Sequence, residues 1–197
     1  MSVNTPRADR GERTRRTLLG HARRLFATQG YAETSTREIV ESAGLTKGAL
    51  YHHFEDKLAL YRAVVEEMAR ELVERAEGSA ADCRDPWARL EAMCEAYLDA
   101  SLNSDFARIL VLEAPAVLGW KAWCRIGERH EIRVFAACLR EAAAAGQIPP
   151  DSVEGTAQVL LGALNTAARL IATAPEPAAA RTQADRTVKR LLTGLRA

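Results

Sequence analysis

The stretch STREIVESAGLTKGALYHHFEDK, from Ser35 to Lys57, leaves this chain few ways to fold. Ser35 followed three residues later by Glu38 is a capping box, which predicts a helix beginning at Thr36. Ile39, Val40 and Ala43 give that helix its apolar side. Gly44 supplies the left-handed residue that ends it, with Leu45 placed to fold back on Val40 as in a Schellman stop. Thr46 is then a second N-cap, so the next helix runs from Lys47 to about His53. A turn this short makes the two helices cross.

In the second helix Leu50 and Phe54 stand four apart and face inward, which turns Gly48 and His52 outward with Ala49 and Tyr51 flanking them. That outward face is small, basic and aromatic. Two helices crossing at a glycine turn, the second with such a face, form the helix-turn-helix that lays a recognition helix in the DNA major groove.

The same residues resemble the DNA-binding segment of the Tet repressor (TetR/AcrR) family of bacterial transcription regulators. The pattern is carried by Thr36, Ile39, Ala43, Gly44, Leu45, Thr46, Gly48, Leu50, Tyr51, His53, Phe54, Asp56, Lys57 and Leu60. Two positions depart from it: Val40 replaces the usual alanine, and Ala49 stands where threonine is common, which removes one hydroxyl contact to DNA. The resemblance implies a dimeric regulator of a double-stranded operator, most often a repressor, whose second domain holds a small-molecule effector that changes the separation of the recognition helices.

Composition supports an all-α fold. Of 197 residues, 48% are hydrophobic and 27% charged, ordinary for a globular chain, and no alternating apolar stretch is long enough for a strand. About nine helices are expected: an N-terminal three-helix bundle containing the helix-turn-helix, then a larger helical ligand-binding and dimerisation domain. The expected boundaries are a flexible arm over 1–9, the DNA-binding domain over 10–57 and the second domain over 58–197. Net charge is only +1, but the first 24 residues carry seven arginines against Asp9 and Glu12, which favours a polyanion at that end. Cys83, Cys94, Cys124 and Cys138 lack metal spacing and read as buried thiols; neighbouring His52 and His53 point apart on a helix and cannot chelate one ion. Neither metal nor cofactor is expected. The N-terminus has no apolar signal region, and Asn165 and Arg169 interrupt the most apolar tract, so a cytoplasmic protein without a membrane partner is expected.

Along the chain, the first helix is expected over about 10–29, with Leu18, Ala22, Leu25 and Phe26 inward and Gly30 at its end. Asp56 caps a helix that reaches about Gly78. Asp85 and Pro86 open the next, to about Leu102. A short helix over 106–113 stops at Pro115, a long one spans 116–145, Pro150 and Asp151 start another, and the last covers 177–194.

The expected DNA contacts are Arg15, Arg16, Thr36, Thr46, Lys47, Gly48, Ala49, Tyr51, His52 and Lys57. Phosphates supply most of the affinity, with Lys57 at the N-terminus of its helix, while Gly48 and Tyr51 come close enough for base edges. In the second domain, Met68, Trp87, Met93, Tyr97, Phe106, Trp120, Trp123, His130, Asn165 and Arg169 are the candidate ligand residues: an apolar, largely aromatic wall with a few polar anchors. The ligand they suit is mostly apolar or aromatic, and anionic if Arg169 points inward. The two last helices each carry more apolar surface than one neighbour needs, so Leu160, Leu161, Leu164, Ala168, Val188, Leu191, Leu192 and Leu195 are expected to pair with a second copy, as the resemblance also implies.

No nucleophile elbow, phosphate loop or zinc-protease motif appears, so an enzyme is not expected. An architectural DNA-binding protein would not need the large second domain.

Overall fold

The computed structural model describes the backbone of residues 6–150 and 153–196. Among them nine helical segments and no strands are found. They are α1 Pro6–Gln29, α2 Thr36–Ser42, α3 Lys47–His53, α4 Lys57–Ser79, α5 Pro86–Ala100, α6 over 104–118, α7 over 120–144, α8 Val153–Thr173 and α9 Pro177–Thr193. The chain divides into two compact units, Met1–Glu66 and Glu67–Ala197, so the division falls inside α4.

The first unit is built as the capping residues dictate. The Ser35 hydroxyl accepts from the Glu38 amide (3.2 Å) while the Glu38 carboxylate accepts from the Ser35 amide (2.8 Å). Gly44 takes φ 63°, which lets the Leu45 amide donate back to the Val40 carbonyl at 2.8 Å and close the Schellman stop. Thr46 Oγ1 then accepts from the Ala49 amide at 3.2 Å. Leu18, Phe26, Ile39, Leu50 and Tyr61 are fully buried between the helices. Phe26, Tyr31 and Tyr61 form an edge-packed cluster, with centroids 5.0 Å apart for Phe26–Tyr61 and 4.9 Å for Tyr31–Tyr61. This is why the start of α4 belongs to the first unit and the boundary lies later than Lys57.

Three expectations are corrected. α1 begins at Pro6, not Arg10, because proline suits the first helical turn, so residues 6–9 are helix rather than arm; Met1–Thr5 lie outside the described residues. Pro115 does not stop a helix: α6 runs through it as Ser104–Phe106, a wide π-helical stretch Ala107–Glu113, and Ala114–Leu118. In the wide stretch the amide of Ala114 reaches back five residues to Ile109, so the proline displaces no regular α-helical bond. The break comes at Gly119, whose φ of 79° only glycine adopts freely, and α7 starts afresh at Trp120. The expected helix start at Asp151 lies outside the described residues.

In the second unit α8 packs on α5, α6, α7 and α9, and α9 packs back on α5. Arg181 pairs with Asp99 at 2.7 Å and Lys189 with Glu95, two links between α9 and α5. Cys94 and Cys138 are buried thiols, pushed up to about 12 and about 11 chiefly by burial, whereas Cys83 and Cys124 are half-buried, short of the expectation that all four are buried. No helix among the described residues is long and apolar enough to cross a membrane.

Candidate functional site

The buried Leu50 sets the rotation of α3. With that side chain inward, Thr46, Lys47, Gly48, Tyr51 and His52 are all exposed, Tyr51 by 51%, and Ala49 is half-buried beside them. Tyr51 Oη lies 3.5 Å from Thr36 Oγ1, so the first turn of α2 and the middle of α3 share one surface. An alanine methyl at Gly48 would meet nothing nearer than Thr46 Oγ1 at 3.8 Å. Within the protein there is room for a side chain there. Arg16 is exposed and pairs with Glu12 at 3.8 Å, while the Arg15 guanidinium lies 5.5 Å from the centre of the Phe54 ring. His52 and His53 stack edge to face, and no group of metal-ligating side chains is found among the described residues.

Lys57 stands differently from what the sequence suggests. Its ammonium donates to the carbonyls of Tyr31 (2.8 Å) and Thr34 (2.9 Å), and more distantly to Ala32 (3.5 Å), and lies 4.2 Å from the centre of the Tyr31 ring. The expected phosphate contact is therefore corrected: the charge is held by the loop between α1 and α2. That loop leaves α1 at Gly30 with carbonyls that no helix satisfies, and Lys57 collects them.

The second unit holds a cavity of about 630 Å³. Of the expected ligand residues, Tyr97, Trp120, Trp123, Asn165 and Arg169 line it. Met68, Trp87, Met93 and Phe106 do not: they are 2 to 4% exposed and form the core, where an aromatic at helical spacing most often goes. His130 lies in a separate hollow with Arg70, Glu74, Glu77, Arg129 and Arg133.

The wall of the cavity is shaped by the wide turn of α6. With Pro115 five residues after Leu110, the Leu110 carbonyl has no amide to accept from in the π pattern. The indole of Trp123 donates to it instead, at 3.2 Å, which fixes that ring against the cavity. Trp120, 69% exposed, lies 5.1 Å from it at the open side. Tyr97 donates its hydroxyl to Asn165 Oδ1 at 2.7 Å across the cavity floor.

The residue the sequence reading missed is Glu131. It lines the cavity, is 5% exposed, and burial pushes its carboxyl up to about 7. It has no hydrogen-bond or ion-pair partner among the described residues. A side chain at Gly127 would come within 3.2 Å of its Oε2, so the glycine makes room for the acid. One signal was present: Gly127, Glu131 and Phe135 share one stripe of α7, so a carboxylate sits on an apolar face.

The expected pairing surface is also revised. Leu160, Leu161, Leu164, Ala168, Val188 and Leu192 are at most 5% exposed within the single chain, and Leu195 is half-buried. Of the eight, only Leu191 stands out, at 54%. The apolar groups left open on α8 are Val159 (74%) and Leu170 (58%), on a neighbouring stripe with the exposed Gly155, Gly162 and Thr166.

Comparison with known proteins agrees with this geometry. A domain described as tetracyclin repressor-like, C-terminal, matches residues 87–195, and one described as bacterial regulatory proteins, tetR family, matches residues 18–64. A tetR-family transcriptional regulator from Pectobacterium atrosepticum is 33% identical, with a TM-score of 0.83, covering 96% of this chain and 97% of that one. The Transposon Tn10 TetC protein of Escherichia coli is 33% identical over 107 residues, 54% of each chain. The HTH-type transcriptional repressor AcnR of Corynebacterium efficiens is 39% identical over 74 residues, 38% of each. The chain thus spans about half, or less, of the curated relatives it matches. These are families of regulators and not of enzymes, and because the C-terminal match alone takes in more than half of the residues, the chain belongs to the tetR family of bacterial regulatory proteins.

Proposed function

We propose that the chain is a DNA-binding transcriptional regulator that reads a pseudo-palindromic operator as a dimer and represses from it. One observation carries this reading: α3 is capped at its start, anchored by Leu50, and shows solvent a small, basic and aromatic face. Lys47 and His52 supply phosphate contacts, with Thr46 and Thr36 at the edges, while Gly48 and Tyr51 approach the bases. Two such helices related by a two-fold axis require half-sites about one helical turn or somewhat more apart. The exposed Val159 and Leu170 of α8 and Leu191 of α9 are the apolar groups suited to a second copy. Repression is preferred because relatives such as AcnR bear that description. A small molecule held in the cavity of the second unit would release the DNA, with α4, one continuous helix shared by the two units, as the coupling element.

Gly48 separates fold from function. Gly48→Ala should stabilise α3 by about 0.5–1 kcal/mol, because glycine is a poor helix former and the methyl meets no clash. It should nevertheless weaken operator binding in a gel-shift titration, since the same methyl holds the helix off the groove. Tyr51→Ala should weaken it too, with thermal stability little changed. Unchanged affinity in both variants would remove α3 from the interface.

A further inference from the structure

Taking the effector reading above as its starting point, we infer that the cavity selects an organic cation: an aromatic or apolar body carrying an ammonium or amidinium group that pairs with Glu131. The cavity has two ends of different character. Tyr97, Leu110, Ile126 and Glu131 are buried, whereas Trp120 and Arg169 are exposed. The acid is therefore at the enclosed end and the arginine at the open one. A ligand that enters past Trp120 brings its far end to a carboxyl group that no hydrogen-bond donor or cation among the described residues satisfies.

A buried carboxyl without a partner is costly to keep, and its natural complement is a donor with positive charge, which restores the ionised form and gains a charge-assisted hydrogen bond. The surrounding walls fit the same ligand. Trp123 is held in place by its bond to the Leu110 carbonyl, and with Trp120 at the open side it gives the ligand's aromatic or apolar body a wall to pack against. Glu128 adds a second acid to the lining. Arg169, exposed at the mouth, is placed to exclude nothing from the closed end and to meet solvent or an anionic tail.

Three probes that share a naphthalene ring system and differ in charge test this: 1-naphthylmethylammonium, 1-naphthylmethanol and 1-naphthoate. Binding is followed at neutral pH by quenching of the tryptophan fluorescence of the full chain. The ammonium is expected to bind about tenfold or more tightly than the alcohol, and the naphthoate weakest. Glu131→Gln, which keeps the shape and hydrogen-bonding capacity but removes the charge, should bring the ammonium to the level of the alcohol and leave the alcohol unchanged. Tightest binding of the naphthoate or the alcohol, an ammonium preference that survives in Glu131→Gln, or no saturable binding of any probe overturns the inference. Operator release is scored separately by gel shift. An uncharged or anionic probe that binds best and releases the DNA sinks the cation while leaving the effector reading intact, and probes that bind without releasing it sink the effector reading alone.

Discussion

Lys57→Ala should cost the first unit about 3 kcal/mol of stability and weaken operator binding without changing the salt dependence of whatever binding remains. Two short hydrogen bonds, from the ammonium to the carbonyls of Tyr31 and Thr34, are lost together with the contact to the Tyr31 ring. Bonds to a charged group contribute about 1.5–3 kcal/mol each, and the ring contact about 0.5–1 kcal/mol; partial exposure of the lysine discounts the sum. The carbonyls left behind face a loop that sets where α2 begins, two residues after Thr34. Affinity therefore falls because α2 and α3 lose their fixed placement. A lysine that touched phosphate would behave otherwise: its removal would leave the fold intact and flatten the log–log salt slope by about one unit per contact. Lys47→Ala, at an exposed position of α3, is the control expected to do that. Urea unfolding together with gel shifts at three salt concentrations separates the two cases. Wild-type stability with a shallower slope in Lys57→Ala would restore the phosphate role.

What could be read in the sequence and what could not differ in range along the chain. The capping box of Ser35 and Glu38, the stop at Gly44 and Leu45, and the Thr46 cap are each settled by atoms within about six residues, so the pattern of residues contains the whole cause. Leu50 could be recognised as the anchor of α3 for the same reason. Lys57 could not, because its partners lie 23 to 26 residues earlier and only the packing of Tyr31 and Tyr61 brings them to it. Pro115 misled for a different reason. The rule that proline ends a helix assumes bonds four residues apart, and the wide turn over Ala107–Glu113 relaxes that assumption. On α8 the apolar residues Leu160, Leu161, Leu164 and Ala168 read as a pairing surface because nothing local in the sequence says which neighbour covers them; they face the chain's own core. In the cavity, aromatic residues at helical spacing gave no way to separate wall from core, so Trp123 was found and Trp87 misplaced by the same criterion.

Glu131→Gln should stabilise the protein at pH 8 by roughly 3 kcal/mol, and the gain should shrink to nothing as the pH falls toward the ordinary carboxylate range. Burial raises the native carboxyl from 4.5 to about 7, so between those values the folded chain holds a proton that the unfolded chain has released. Stability then decreases with rising pH, since the folded state binds more protons than the unfolded one. Below the lower value both states are protonated and the group contributes no difference; above the upper one the native state carries a buried, unpaired charge. The charged and titratable groups lining the cavity with it do not reverse this sign: Glu128 on α7 has the same sign and is exposed, Cys124 on α7 has its thiol pushed up by burial and then by Glu128, Tyr97 on α5 has its own hydroxyl pushed up by burial and then by Glu131, and Arg169 on α8 is exposed at the mouth. Other acids act in the opposite sense. Glu38, held low by the Ser35 hydroxyl, and Asp85, held low by the Ala88 amide, lose their contribution as pH falls. They are common to both proteins and cancel when the variant is compared with the wild type at each pH. Denaturant midpoints from about pH 5 to about pH 8 supply that difference. A gap that stays constant over the range would mean that Glu131 does not titrate from a buried state, and would remove the unpaired acid on which the cavity's preference for a cation depends.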